Sequence, residues 1–169
     1  VVADQSIEVR VTATSENDPV KNIRFIPAEY EQTYDSTNVF HPNFVSSIEK
    51  FGILRFCEWQ SEVFNTYNPI ERDWTKRTTL ASQSQAGDNG VALEYMVQLA
   101  NQLDAHVWFC MPGFTPQNDN DQYERSFATY LKDNLEAERK VFIQWSHGTG
   151  LRSEMAPKMN KISGIFAEV

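Results

Sequence analysis

The chain has no long apolar run, few cations and almost no cysteine. No stretch approaches the ~18 consecutive apolar residues that a membrane-crossing helix needs, so no bilayer span is expected. Lys and Arg number 15 against 23 Asp and Glu, a net charge of −8 with an isoelectric point near 4.9. Phosphate backbones are held by basic patches, and none is visible here, which excludes nucleic acid as the main partner. There is no Asn-x-Ser/Thr sequon and no low-complexity tract. With 41% hydrophobic and 12% aromatic residues, the chain has the apolar surface to offset its ordering entropy, which excludes disorder. His41, His106 and His147 show no ligand spacing, so neither a metal nor another cofactor is expected. The two cysteines, Cys57 and Cys110, each close a strand-like run. That leaves open a disulfide between neighbouring strand ends or two buried thiols.

What is present divides in two. Ile7, Val9, Val11 and Ala13 alternate with polar residues, the period of a half-buried strand. Ser15-Glu16-Asn17-Asp18-Pro19 has turn chemistry, and Val20 to Ile26 reads as a second strand stopped by Pro27. Residues 1–26 are therefore expected to be the terminal strands of a β-sandwich-type segment. The opening Val1-Val2-Ala3 lacks an initiator Met and reads as a processed or excerpted N-terminus.

From Asn43 onward, helical and strand patterns alternate. Helices are expected over 43–50, 90–103, 119–135 and 156–169, with strands over 53–57, 107–111 and 141–145. The strands are apolar runs of the kind covered on both faces. Such alternation implies right-handed βα units on a parallel sheet. The fold class expected is α/β, with 27–169 forming the first half of a (β/α)8 TIM barrel. The open edges of a half barrel would be covered by the remainder of a longer chain or by neighbouring subunits.

In βα folds, side chains gather around ligands at the C-terminal ends of strands. Arg55, Glu58, Trp59, Gln144, Trp145, Ser146 and His147 stand there by sequence, and the long loop over 58–89 adds Arg72, Trp74 and Arg77. Aromatic faces with Arg and amide neighbours suit sugar rings, whose C–H faces stack while their hydroxyls hydrogen-bond. The carbohydrate-contacting residues expected are Arg55, Glu58, Trp59, Trp74, Arg77, Gln144, Trp145 and His147.

Several linked runs resemble a group of secreted glycoside-hydrolase-like proteins. They are Leu54-Arg55-Phe56-Cys57-Glu58-Trp59, Asp73-Trp74-Thr75-Lys76-Arg77, Gly90-Val91-Ala92-Leu93-Glu94-Tyr95-Met96, Trp108-Phe109-Cys110-Met111-Pro112 and Val141 to Ser146. The resemblance implies a TIM barrel of the retaining-glycosidase type and an extracellular or cell-surface setting. The family's fourth-strand motif continues Tyr-Ser-Asn-Glu-Val-Trp, its Glu being the acid/base. Here the same register reads Trp145-Ser146-His147-Gly148, placing His147 on the Asn and Gly148 on the Glu. The third-strand Met-Pro-His becomes Met111-Pro112-Gly113. Glycoside hydrolysis needs two carboxyl groups, and glycine supplies none. Glu58 and Glu154 are the only weak replacements for the missing acid.

The expected function is thus a non-catalytic, glycoside-hydrolase-like module of an extracellular assembly, structural or carbohydrate-contacting. The alternatives are an active glycosidase with a relocated acid, or a protein-binding subunit of a filament or sheath.

Overall fold

A computed structural model describes residues 9–21, 23, 25–35, 39–60, 73–87, 89–111, 121–145 and 152–169. The side chains of Trp145, of 152–155 and of Lys158 lie outside that description. The chain divides into two units, Val1–Val39 and Phe40–Val169.

Among its described residues the first unit holds one 3-10 turn, Ala28–Tyr30, and no strand. The alternating apolar side chains are exposed, Val9 at 56% and Phe25 at 69%. The expected sandwich strands are therefore not found among the described residues. Alternation marks a face that would suit a sheet, but it supplies no sheet to pair with, and an isolated hairpin is marginal in water.

The second unit is an α/β layer pair. Helix α1 (Pro42–Ile48) leads to β1 (Ile53–Phe56), then α2 (Leu93–Gln102), β2 (His106–Met111), α3 (Gln122–Asn134), β3 (Val141–Trp145) and α4 (Arg152–Glu168). The sheet is parallel throughout, in the order β1-β2-β3. Its register sets Arg55 opposite Trp108 and Trp108 opposite Phe142.

Local chemistry accounts for the boundaries. His41 caps α1, its Nδ1 accepting from Asn43 N at 3.2 Å, with Pro42 at the first helical position, where its missing N–H costs nothing. In α2, Leu93, Met96, Val97 and Ala100 recur at helical spacing and are buried. Asn101 ties α2 to the end of α3: its Nδ2 donates to Asn134 O at 2.9 Å and its Oδ1 accepts from Glu136 N at 3.1 Å. Helix α4 starts four residues ahead of the expected Ala156, so Pro157 lies inside it and removes one backbone bond.

The core lies on one side of the sheet. Leu54, Phe56, Val107, Phe109 and Met111 point into it and meet Met96 and Leu99 of α2, Phe127 and Leu131 of α3 and Ile162 of α4. Phe109 stacks with Phe56 at 5.5 Å between ring centroids and meets Phe127 edge-on at 5.2 Å.

Two expectations are corrected. The sheet is not part of a (β/α)8 barrel. Its three described strands form a small open parallel sheet with β1 and β3 as edges. Nor are the strands covered on both faces. β1 alternates exposed and buried, and Ile53 (47%), Trp108 (38%) and Phe142 (43%) are exposed on the side away from the core.

Candidate functional site

The open sheet face follows from strand parity. Successive side chains point to opposite faces, and the register places Ile53 and Arg55 of β1, His106, Trp108 and Cys110 of β2, and Phe142 and Gln144 of β3 on the same side. The Arg55 guanidinium lies 5.0 Å from the centroid of the Trp108 ring. Its Nη2 donates to Gln144 Oε1 at 2.9 Å, across the intervening strand. The same Gln144 oxygen receives the Cys110 thiol at 3.8 Å, within reach for a sulfur donor. Arg55, Trp108 and Phe142 form a row two strand spacings wide, about 10 Å. A stacked guanidinium and indole at an exposed site attract by about 0.5–1 kcal/mol, and the hydrogen bond to Gln144 fixes the guanidinium further. The result is a flat strip of aromatic surface with guanidinium and amide groups held on it.

A second cluster lies on the helix side. The turn Trp74–Lys76 is capped by Asp73, whose Oδ1 accepts from Thr75 N at 2.8 Å and from Thr75 Oγ1 at 2.7 Å. Those hydrogen bonds hold the Asp73 carboxyl below the usual carboxylate range. Arg77 then makes a two-pronged pair with Glu94 of α2, Nη2 to Oε1 at 2.7 Å and Nη1 to Oε2 at 2.9 Å. Its guanidinium also sits 4.5 Å from the Trp74 ring centroid and 5.9 Å from that of Tyr130. Burial raises the Tyr130 phenol above its ordinary range, and the Glu94 charge adds to this while Arg77 opposes it. Both terminal nitrogens of Arg77 are thus engaged by Glu94, and Nη1 also donates to Thr78 O at 2.9 Å. A cleft of about 90 Å³ beside it, lined by Gln60, Trp74, Arg77, Asn89 and Tyr123, is smaller than a sugar ring needs.

The rim expected from sequence is thus split by the sheet. Arg55 and Gln144 come together on the open face, while Trp74 and Arg77 are packed among α2 and α3 on the other. Trp59 also belongs to the packing, its ring 5.1 Å from that of Phe56. Glu58 is exposed in the turn after β1, at φ 63°, a left-handed conformation uncommon outside Gly, Asn and Asp. Trp145 pairs with Met111 through the β3 backbone, and its side chain is outside the described residues. Arg72, Gly113, Ser146, His147 and Gly148 lie outside them altogether, as does the side chain of Glu154 in the first turn of α4.

Trp108 and Phe142 are not among the site residues expected from sequence, because an apolar strand reads as covered on both sides. Parity held the signal: with Val107, Phe109 and Met111 inward, Trp108 had to face away from them.

Among the described residues no group of three His, Cys, Asp or Glu side chains could hold a metal ion. No helix among them is long and apolar enough to cross a membrane. No protein-family model, curated protein or solved structure matches the chain. The resemblance to glycoside-hydrolase-like proteins therefore rests on the motif order alone.

Proposed function

We propose that the chain is a non-catalytic binding module that contacts carbohydrate through the open face of its sheet. One observation carries the reading: exposed Arg55 and Trp108 and half-buried Gln144, from three different strands, form one connected group on the open face. Apolar side chains left on a sheet face lose the benefit of burial, about 25 cal/mol per Å². A sugar suits this surface because its ring hydrogens can lie on Trp108 and Phe142 while its hydroxyls meet the guanidinium and amide. Strands hold these groups in place before a ligand arrives, which lowers the ordering cost of binding.

The eroded motif at His147-Gly148 supports binding without turnover, and on this reading the module works in an extracellular or cell-surface assembly. The test is affinity electrophoresis through gels containing soluble polysaccharides, with Trp108→Ala and Gln144→Ala as variants. Retardation of the parent chain, lost in both variants, is expected. Equal retardation of all three chains overturns the reading, and glycoside hydrolysis by the unmodified protein overturns its non-catalytic part.

A groove of about 250 Å³ along the outer edge of β1, lined by Phe44, Ile48, Phe51 and Ile53, favours a second reading, that of a protein-binding subunit. Sedimentation of the chain with no glycan present discriminates the two: self-association that rises with concentration supports the groove as a protein contact.

A further inference from the structure

Of the two arrangements the sequence leaves open for Cys57 and Cys110, the structure holds two thiols at adjoining strands. The β1–β2 register runs from Ile53 opposite His106 to Phe56 opposite Phe109. Cys57 follows Phe56 in the bend after β1 and Cys110 follows Phe109 within β2, so each cysteine comes one residue after the last paired position of the two strands. Within β2, Cys110 lies on the side of Trp108, and Cys57 stands at the adjoining end of β1. Neighbouring strands are about 4.8 Å apart at their last paired positions, and a disulfide bridges Cα separations of roughly 4.4–6.8 Å. Both residues carry thiols in the structure. Their surroundings differ: Cys57 is half-buried at the strand end, whereas Cys110 is fully buried.

We propose that Cys57 and Cys110 are a thiol-modification site that closes to an intramolecular disulfide by exchange with a low-molecular-weight disulfide such as oxidised glutathione. Access assigns the order of events. The Cys57 thiolate attacks one sulfur of the external disulfide; its S–S bond breaks and one glutathione thiolate leaves. The Cys110 thiolate, which needs no access to solvent, then attacks Sγ of Cys57 in the mixed disulfide and expels the second glutathione. Two protein thiols are oxidised, one external disulfide is reduced to two thiols, and the protons pass to solvent or to the departing thiolates. Closure withdraws the Cys110 thiol from Gln144 Oε1, leaving the Arg55 guanidinium as the donor to that oxygen. It also fixes the end of β1, where the chain turns at Glu58.

The test holds the folded, fully reduced chain in buffers of stepped oxidised-to-reduced glutathione ratio, quenches with acid and reads intact mass and linked peptides. The expected product is a monomer lighter by two hydrogens, carrying a Cys57–Cys110 peptide, with a melting temperature above that of the thiol form. In Cys110→Ser the reaction should stop at a glutathione adduct on Cys57, and in Cys57→Ser the folded chain should not react. A wild-type product that remains a Cys57 adduct, a covalent dimer, or two intact thiols at the most oxidising ratio overturns the proposal. Wild type alone decides the matter should either variant fail to fold. The readout is covalent, so it is independent of whether the open face binds a glycan.

Discussion

Among the described glycines, Gly90 is the one at which adding a methyl group should do most damage. It sits at φ 71°, and a Cβ there would overlap the Trp59 carbonyl oxygen, come within 3.0 Å of that carbonyl's carbon and lie 3.1 Å from Gln60 Cα. All three are backbone atoms, so no side chain can rotate away. Alanine in the left-handed region costs about 1–2 kcal/mol. Relieving the overlap requires the turn after β1 to move. That would break the bond from Val91 N to Trp59 O, 2.6 Å long, for about a further 1 kcal/mol. It would also loosen the Trp59 ring on Phe56, where aromatic pairing contributes about 0.5–1.5 kcal/mol. Gly90→Ala should therefore destabilise by about 3–4 kcal/mol, a large part of a typical domain's ~5–15 kcal/mol. Urea denaturation followed by tryptophan fluorescence measures this. Gly87→Ala, where an added Cβ meets nothing within 4 Å, is the control and should stay within about 0.5 kcal/mol of wild type. A loss below about 1 kcal/mol for Gly90→Ala would refute the docking of this turn on the start of α2.

Gly164→Ala, inside α4 with open space around it, should stabilise by about 0.5–1 kcal/mol in the same assay. Glu94→Gln leaves the Arg77 guanidinium without its two-pronged carboxylate, both side chains being less than one-fifth exposed, and should cost about 2–3 kcal/mol. Because the folded chain raises the Tyr130 phenol, its contribution is fully present below the ordinary tyrosine range and is lost as pH climbs through the folded value. Denaturation midpoints taken from neutral pH up past ~10 should thus decline less steeply in Tyr130→Phe than in wild type. Trp108→Ala removes a side chain outside the core and should change stability by no more than about 1 kcal/mol. On the proposed function, it should nevertheless weaken glycan binding at least tenfold.

The helices and strands of the second unit were legible because each has a strong period: Leu93, Met96, Val97 and Ala100 mark a helical face, and Val141 to Trp145 a short apolar run. Layering was not legible. Whether Ile53, Trp108 and Phe142 are covered depends on what packs outside the sheet, and no local pattern encodes that. The same limit explains the N-terminal stretch, where Val9 and Val11 alternate correctly and yet are exposed. The candidate site residues come from strand ends and from the long loop over 58–89. Membership of that loop suggests a rim position for Arg77, but its carboxylate partner Glu94, 17 residues on, draws it to the helix side. Arg55 and Gln144, 89 residues apart, were brought together by the register of three parallel strands. Trp108 completes that group from the middle of β2, where attention to strand ends could not find it.

The central claim is that the open sheet face is a carbohydrate-contacting surface. Its most direct test is titration of the folded chain with oligosaccharides from whichever polysaccharide retards it, followed by amide chemical shifts with isotopically labelled protein. The account predicts that the largest shifts fall on Arg55, Trp108, Phe142 and Gln144, with Trp74 and Arg77 unmoved. Shifts centred on Trp74 and Arg77, or no shift with any polysaccharide tried, would contradict it.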